Sequence, residues 1–472
     1  MVSLRRTKIV ATLGPATDGP GVTERLIAEG LDGARINTAH GTPEEWRRRA
    51  EAVRGAANAV GRPVALLMDL GGPKLRLGAD EPARELARGE RVAFVDGPSR
   101  QDAIGLHWPD FAGAVVPGVS EVVIGDGTPR LKVQGVEGDR VWCVCERSGR
   151  LGPRKGVFVT HARSGRTTLG EEDLRHLAVA VELDADLVAL SFVRTGQDMR
   201  RLRGALEGLG GRARVIAKIE KLEAFEALDE VLAVSDGVMV ARGDLGVEVG
   251  VARVPLLQKE IIRKAVVEGK LAITATQMLE SMIEAPAPTR AEAADVANAI
   301  LDGTSAVMLS AETAVGDYPV EAVSVMGEIA VHAQSEPVYH REIGAPVPSQ
   351  AEAIMQSAVL LAQQVDAAAI VVPTTSGGSA RAAAKYRPQR PLIALCRDRG
   401  VAQQLALDWG VIPAVFRGRP DRAEEFVDRL AARAVEVGGL VTGDRVVVAY
   451  GSTAARPGTT NVIVVRTIAD IA

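Results

Sequence analysis

Short apolar runs that end in a polar residue recur along much of the chain, and they alternate with segments of helical periodicity. Such runs are typical of parallel strands buried on both faces, because these strands are almost continuously apolar. The eight runs are Lys8–Leu13, Ala34–Asn37, Val64–Asp69, Leu187–Ser191, Arg214–Lys218, Gly237–Ala241, Leu271–Ala275 and Ala306–Ser310. Eight strand–helix alternations predict an α/β fold built on a (β/α)8 TIM barrel, with a doubly wound sheet as the alternative.

Two helices between these runs carry clear start and stop signals. Pro255 suits the first turn of a helix that reaches Glu268, and Gly269 suits its end. Thr289 and Glu292 have the spacing of a capping box, in which each side chain accepts a hydrogen bond from the other residue's backbone N–H. This box predicts the start of a helix that continues through Leu301.

One connection is too long for a loop, since about a hundred residues separate the third run from the next predicted helix. Within it, short β-like segments are separated by turns that contain Gly, Asp and Pro. We therefore expect an inserted small β-barrel lid domain over 73–159. The chain resumes an α/β pattern after Pro346, which predicts a barrel over 1–72 and 160–345 and a C-terminal α/β regulatory domain over 346–472.

Composition and charge narrow the classes of function. The chain has 472 residues, of which 47% are hydrophobic and 25% charged, as in a globular protein with several cores. Its 56 basic and 60 acidic residues give a net charge of −4, so we expect no nucleic-acid or membrane partner. The three cysteines, Cys143, Cys145 and Cys396, suit buried thiols in a reducing compartment, and we predict a cytoplasmic location.

Charged residues follow two of the runs. Lys218 and Glu220 are two residues apart on one predicted strand, so they project from the same face. Asp244 follows the next run, and the segment Arg242–Gly246 predicts a strand leaving into a Gly-rich turn. Two carboxylates beside an ammonium suit a Mg²⁺ that also binds a phosphorylated or enolic oxygen. For Lys218 and Glu220 alone, an ordinary ion pair is the alternative.

Eight ordered motifs, spread over nearly the whole chain, resemble those of the pyruvate kinase family. They are Lys8–Pro15, Arg35–Gly41, Met68–Arg76, Ala217–Glu220, Met239–Val247, Ala275–Met282, Pro288–Gly303 and Met308–Thr313. The resemblance implies a barrel, a β lid and a C-terminal α/β domain, and an assembly into a homotetramer. It also implies phosphoryl transfer from phosphoenolpyruvate to ADP, which gives pyruvate and ATP in the last step of glycolysis.

The resemblance assigns roles around the transferred phosphoryl group. It implies that Glu220 and Asp244 hold Mg²⁺ or Mn²⁺, and that Lys218 stabilises the phosphoryl group and the developing enolate oxygen. Arg35, with its planar donor fork, would hold the phosphate. Thr276 would bind the substrate carboxylate.

Further roles follow for the substrate carboxylate, the proton and the nucleotide. The amides of Gly243 and Asp244 would also bind the carboxylate, and Thr276 with Ser310 and water would relay a proton to the enol. Three residues would meet the nucleotide, Arg76 and Lys155 at its phosphates and His40 beside it. A hydrogen-bonded structural role is the alternative for His40.

The chain departs from the family at the monovalent-cation region. Many members require K⁺, bound near Asn37, a serine two residues later, Asp69 and the carbonyl of the next residue, Leu70. In this chain Ala39 occupies the serine position, and Lys74 stands where K⁺-dependent members carry a glutamate. We expect that the Lys74 ammonium replaces K⁺ and that activity does not require this ion. A solvated surface lysine is the alternative.

Two further segments concern the lid and regulation. The segment 158–165 differs from the Asn-Leu-Pro-Gly-like turn of the family, which leaves the lid hinge altered. After a predicted strand, hydroxyls and free N–H groups form a phosphate cradle that resembles the family's allosteric sugar-phosphate loop. This effector loop consists of Thr374, Thr375, Ser376, Gly377, Gly378 and Ser379. We expect a phosphorylated allosteric effector there, with a capped helix start as the alternative.

Two other functions stay open at this point. Another Mg²⁺-dependent barrel enzyme that acts on a pyruvate enolate, such as a lyase or aldolase, would share the acidic pair and the lysine. It would not need Arg76, Lys155 or the lid. A catalytically silent relative that serves as a metabolite sensor or scaffold would keep the fold alone. The altered lid segment leaves this alternative open, and four intact residues argue against it, namely Lys218, Glu220, Asp244 and Thr276.

Overall fold

The computed structural model describes residues 5–72, 75–100, 102–125, 127–162, 168–335, 349–418, 422–452 and 459–469. Lys74 therefore lies outside the described residues, as do the expected domain boundary between 345 and 346 and part of the atypical segment 158–165.

Eight parallel strands close into a barrel, as the sequence predicted. In chain order, and numbered below as the first to the eighth barrel strand, they are Lys8–Thr12, Gly33–Asn37, Ala65–Leu70, Leu187–Leu190, Arg214–Ile219, Gly237–Ala241, Leu271–Ala275 and Ala306–Leu309. The first strand pairs with the eighth, with Lys8 opposite Ala306, and also with the second. This closure excludes the doubly wound sheet.

Helices surround the barrel. They are Val22–Ala28, Pro43–Val60, Glu171–Glu182, Gly196–Gly208, Leu222–Glu226, Leu228–Val234, Arg242–Val249, Val254–Val267, Arg290–Leu301, Ala311–Ala314 and Pro319–Ser335, with 3-10 turns at Pro15–Thr17 and Glu280–Ile283. The predicted capping box is confirmed, because Thr289 Oγ1 accepts from the Glu292 amide at 3.3 Å and Glu292 Oε2 accepts from the Thr289 amide at 2.8 Å.

The barrel interior is packed with apolar side chains from seven of the eight strands, among them Val10, Ile216 and Met308. Ala406 and Leu407, which come from the C-terminal part of the chain, belong to the same buried cluster. A Cβ added to Gly33 would lie 2.7 Å from Leu407 Cδ2, so this leucine sits directly against the start of the second barrel strand. The Leu407 side chain therefore fills the amino end of the barrel interior.

The inserted segment forms a seven-stranded sheet, in the order Leu75–Arg76, Gly156–Val159, Glu121–Ile124, Arg130–Glu137, Arg140–Arg147, Arg91–Asp96 and Ala103–Leu106. A bridge between Leu77 and Leu106 joins its two edges, so the sheet curls back on itself. The pair Arg84–Leu86 and Gly149–Leu151 and the short helix Phe111–Ala114 complete this lid. Its Val159 carbonyl accepts from Lys221 Nζ at 3.0 Å, which joins it to the carboxyl end of the barrel.

The C-terminal part is a five-stranded α/β sheet. Its order is Val411–Val415, Leu392–Cys396, Ala369–Thr374, Arg445–Tyr450 and Val462–Thr467, with the last strand antiparallel to its neighbour. Its helices are Gln350–Gln364, Gly378–Lys385, Arg399–Leu405 and Ala423–Gly438. In the part of the chain that the structure describes, no helix is both long and apolar enough to cross a membrane.

Candidate active site

A buried lysine lies at the carboxyl end of the fifth barrel strand. Lys218 Nζ is 2.9 Å from Glu220 Oε1, 3.3 Å from Asp69 Oδ1 and 2.7 Å from Ser191 Oγ. These three partners follow or end three different barrel strands, so closure of the barrel brings them together. Asp69 and Glu220 are fully buried, and only 12% of the Lys218 side chain is exposed.

Electrostatics keep this lysine charged. Burial lowers the pKa of Lys218, but the negative charges of Asp69 and Glu220 outweigh it, and the pKa ends above its usual range. Burial alone would raise the pKa of Asp69, yet the positive charges of Lys218 and Arg35 hold it below the ordinary value. The site therefore contains a permanent ammonium beside an ionised carboxylate.

The pKa of Glu220 shifts in the opposite direction from that of Asp69. Burial raises its pKa, Lys218 acts in the opposite direction, and the negative charge of Asp244 raises it further, so the pKa ends above its ordinary value. Asp244 contributes also to the raised pKa of Lys218. Glu220 Oε1 and Asp69 Oδ1 are buried and accept no well-aligned hydrogen bond from the described residues. The negative charges of Glu220 and Asp244, and an oxygen of Glu220 that can still accept, suit a divalent cation.

Glu220 and Asp244 alone would not complete the coordination of a divalent metal ion. No group of three His, Cys, Asp or Glu side chains in the described ranges is arranged to hold a metal ion. Mg²⁺ commonly binds through one or two carboxylates, and water and substrate phosphate complete its coordination. Glu220 and Asp244 therefore match a site that a phosphorylated substrate would finish.

Arg35 is fixed by two neighbours at the end of the second barrel strand. Its Nε atom donates to Asp69 Oδ2 at 2.8 Å, its Nη2 atom lies 2.7 Å from the same oxygen in an ion pair, and its Nη1 atom donates to Thr12 Oγ1 at 2.9 Å. The residue is only 8% exposed. A guanidinium held in one orientation presents a preorganised positive charge, and Asp69 links it to Lys218.

The expected Gly-rich turn after the sixth barrel strand is instead a helix, Arg242–Val249, so this prediction was wrong. Asp244 lies in its first turn and does not end the strand. The helix can begin at once because the Thr276 hydroxyl accepts a hydrogen bond from the Gly243 amide at 2.9 Å. This bond satisfies one of the first-turn N–H groups, which have no partner inside a helix.

Thr276 adopts a left-handed backbone conformation, with φ of 69°, and Gln277 follows with φ of 53°. Arg242 stabilises this turn, because its Nη2 atom donates to the carbonyls of Thr276 and Gln277 at 2.6 and 2.9 Å. Such strain is uncommon for residues other than glycine and is concentrated at functional sites. The turn places the Thr276 hydroxyl beside the Gly243 amide and Asp244.

Ser310 follows the eighth barrel strand. Its amide donates to Glu312 Oε2 at 2.6 Å, while its buried Oγ atom has no hydrogen-bond partner in the described part of the chain. The Thr276 hydroxyl bonds to the Gly243 amide and the Ala275 carbonyl. The two hydroxyls of the predicted proton relay are thus not bonded directly to each other.

A cavity of about 370 Å³ lies between the lid and the carboxyl end of the barrel. Asp244, His40 and Arg76 line it, so the structure brings two of the predicted nucleotide residues to the same space as a predicted metal ligand. Arg76 Nη1 donates to the Arg154 carbonyl at 3.2 Å. Lys155 is not among the lining residues, and its Nζ atom donates to the Arg150 carbonyl at 2.7 Å.

Comparison with known proteins agrees with this architecture. Residues 4–323 match the family described as pyruvate kinase, barrel domain, and residues 352–466 match pyruvate kinase, alpha/beta domain. The chain belongs to the pyruvate kinase family. A pyruvate kinase of Clostridium acetobutylicum is 36% identical over 98% of this chain and 100% of the relative. One of Methylorubrum extorquens is 39% identical over 97% and 96%, and one of Geobacillus stearothermophilus is 39% identical over 99% and 81%.

In the monovalent-cation region, the oxygens that would bind K⁺ already accept hydrogen bonds. Asn37 Oδ1 accepts from the Ala39 amide at 3.1 Å, and the Leu70 carbonyl accepts from Ser191 Oγ at 2.7 Å. Asp69 is paired with Arg35, as described above.

The predicted effector loop leads into the helix Gly378–Lys385. Thr374 Oγ1 accepts from the Gly377 amide at 2.9 Å, and the Ser379 hydroxyl bonds to Thr460 at 2.7 Å. The Ser376 carbonyl accepts from Arg381 Nη2 at 3.0 Å.

Sequence reasoning missed the functional setting of Thr12, Phe192 and Arg242. Phe192 donates its amide to Glu220 Oε2 at 2.6 Å, and Arg242 holds the turn at Thr276. A charged residue that directly follows a buried strand was a usable signal for Arg242. No sequence signal marks the backbone amide of Phe192, because its contact depends on the fold.

Proposed function

We propose that this chain, a pyruvate kinase, transfers the phosphoryl group of phosphoenolpyruvate to ADP at the carboxyl end of the barrel, where Asp244 lines the cavity under the lid, with Glu220 and Asp244 as ligands of Mg²⁺ or Mn²⁺. The observation that carries the proposal is the buried Lys218 ammonium beside Glu220, whose Oε1 atom accepts no well-aligned hydrogen bond in the described part of the chain. A divalent ion held there would supply positive charge to the phosphoryl oxygens and to the enolate.

The cationic side chains support the transfer step. Lys218, held between Asp69 and Glu220, would stabilise the phosphoryl group in transit and the negative charge on the enolate oxygen. Arg35, fixed by Asp69 and Thr12, would orient the phosphate before transfer. Because both cations are already oriented, little reorganisation is needed when charge develops in the transition state.

The hydroxyl groups of Thr276 and Ser310 would bind the substrate carboxylate and transfer a proton to the enol. Thr276, beside the amides of Gly243 and Asp244, would bind the carboxylate of the substrate. Ser310 has an uncommitted buried hydroxyl, which supports a relay through water between Ser310 and Thr276 to the enol carbon. Replacement of either hydroxyl should then slow protonation of the enol.

The cavity under the lid would bind the nucleotide. Arg76 and His40 line the cavity, which supports contacts with ADP, whereas Lys155 would have to turn toward the phosphates.

Three further features stay predictions, namely the phosphorylated effector at Thr374–Ser379, the homotetramer and the cytoplasmic location. A saturation curve for phosphoenolpyruvate with a panel of sugar phosphates and AMP tests the effector, and light scattering tests the assembly.

A coupled assay tests the function itself. With phosphoenolpyruvate, ADP and Mg²⁺, we expect ATP and pyruvate to form in equal amounts. Pyruvate-enolate chemistry without ATP formation would instead support a lyase or aldolase. No turnover by a folded protein would support a silent sensor or scaffold.

A further inference from the structure

A two-residue segment after the fourth barrel strand touches both Lys218 and Glu220. Ser191 Oγ accepts a hydrogen bond from Lys218 Nζ at 2.7 Å, and the Phe192 amide donates to Glu220 Oε2 at 2.6 Å. We propose that Ser191 is a positioning residue, which holds the Lys218 ammonium where phosphoryl transfer needs it. The inference rests on the proposed function and adds a residue that touches neither the phosphoryl group nor the nucleotide.

The direction of the hydrogen bonds at Ser191 is fixed. Its hydroxyl has one hydrogen, which it donates to the Leu70 carbonyl at 2.7 Å. A carbonyl can only accept and a lysine ammonium can only donate, so the serine lone pair must face Lys218. Ser191 is only 1% exposed, so water does not compete for this position. The third barrel strand thus orients the hydroxyl, and the hydroxyl orients the lysine.

The other contacts of Lys218 do not fix the direction of its ammonium group, so the hydrogen bond to Ser191 is needed for that. The contacts with Asp69 and Glu220 attract the ammonium from two sides, but neither Asp69 Oδ1 nor Glu220 Oε1 makes a well-aligned hydrogen bond with it. Ser191 is therefore the aligned acceptor that fixes the direction of the ammonium among the described residues. Without it, Lys218 would be free to move within a region of negative charge.

The backbone around Ser191 is held in place at some energetic cost. Phe192 has φ of 56°, a left-handed conformation that is a clear outlier for a bulky residue and is strained. Gly72 packs against it, since a Cβ there would lie 2.9 Å from the Phe192 ring and 3.0 Å from Ser191 Cβ. A segment this constrained can place a hydroxyl with little freedom.

Kinetics of three variants test the proposal. Ser191→Ala should lower kcat roughly 10- to 100-fold, the usual effect of losing one hydrogen bond to a charged group, with little change in KM for phosphoenolpyruvate. Ser191→Thr keeps the hydroxyl and should recover most of kcat. Ser235→Ala is the matched control, because this buried hydroxyl has no hydrogen-bond partner in the described ranges, and it should leave kcat unchanged.

A crystal structure of Ser191→Ala provides a readout that does not depend on turnover. We expect Lys218 Nζ to be displaced or to occupy more than one position. An unmoved Lys218, wild-type kcat in Ser191→Ala, or an effect confined to KM would overturn the positioning role. If the wild-type chain transfers no phosphoryl group to ADP, the proposed function fails, while the Lys218 position in the variant still decides the role of Ser191.

Discussion

The two ends of the barrel use buried charge in opposite ways, and the fifth barrel strand reaches both. At its start, Arg214 donates to Asp408 Oδ2 and Oδ1 at 2.7 and 3.3 Å, with both side chains only 7% exposed. At its end, Lys218 lies beside Glu220, whose Oε1 atom accepts no aligned hydrogen bond within the described residues. Charges at the amino end are satisfied by the protein, whereas those at the carboxyl end leave room for a ligand.

The C-terminal part of the chain explains the closed amino end. Leu407 fills the barrel there, Asp408 pairs with Arg214, and the Val411 carbonyl accepts from the buried Lys8 Nζ at 2.7 Å. The carboxyl end is covered by the lid instead, across a cavity of about 370 Å³. This division matches the general pattern of such barrels, in which one face serves stability and the other catalysis.

The largest expected effect concerns stability at the amino end. Asp408→Ala leaves Arg214 buried without its partner, so we expect a loss of about 3–5 kcal/mol in the free energy of unfolding. The double variant Arg214→Leu, Asp408→Leu should recover much of this free energy of unfolding. Urea denaturation of both variants measures the difference. The turnover number of the folded Asp408→Ala variant should be close to wild type. A loss of turnover as large as that of an active-site variant would show that the two ends are not separable.

The next effect concerns catalysis at the carboxyl end. Lys218→Met should lower kcat by at least about 10²–10³-fold, because a preorganised charge for the transition state is removed. Steady-state assays and thermal unfolding of the same preparations would separate catalysis from folding. The control is Lys264→Met, which removes only an ion pair with Asp229 on an outer helix. A Lys218→Met variant with the full rate would contradict the assigned role.

The stability of the amino end should also depend on pH, through Asp186. Burial raises the pKa of Asp186 from 3.8 to about 6, against the opposing charge of Arg54. The folded state therefore binds this proton more tightly than the unfolded state, so the group's contribution to stability falls as the pH rises from about 4 to about 6. Asp186→Asn removes the titration.

Relative to wild type, Asp186→Asn should thus gain up to about 3 kcal/mol in unfolding free energy between pH 4 and pH 7. Urea denaturation at several pH values checks this difference. A difference that does not vary with pH would mean that Asp186 titrates normally.

The smallest expected effect concerns K⁺ at the carboxyl end. Asp69 is already neutralised by Arg35 and Lys218, and the Leu70 carbonyl accepts from Ser191. In tetramethylammonium buffer with Mg²⁺, we expect added K⁺ to leave the turnover number unchanged. Strong activation by K⁺ would contradict the prediction for Lys74.

The sequence predicts the parts of this fold that are set by local pattern. Apolar runs locate the barrel strands, and the Thr289 capping box locates a helix start, because both signals lie within a few residues. Lys218 and Glu220 are correctly expected on one face, since a strand has a side-chain period of two.

Contacts between distant strands escape such reasoning. The Ser191 bond to Lys218 spans 27 positions, and Leu407 enters a barrel formed by residues far from it in sequence. The left-handed backbone of Phe192 and Thr276 is equally hidden, because neither residue type favours it. The helix at Asp244 was missed because a first-turn amide, that of Gly243, is capped by Thr276, a residue 33 positions away.

The site of the divalent ion is the most direct test. Anomalous diffraction from a crystal of this protein soaked with Mn²⁺ and phosphoenolpyruvate should place the metal within about 2.5 Å of carboxylate oxygens from both Glu220 and Asp244, with Lys218 beside the substrate. A metal peak elsewhere, or these side chains directed away from a common cavity, would contradict the account.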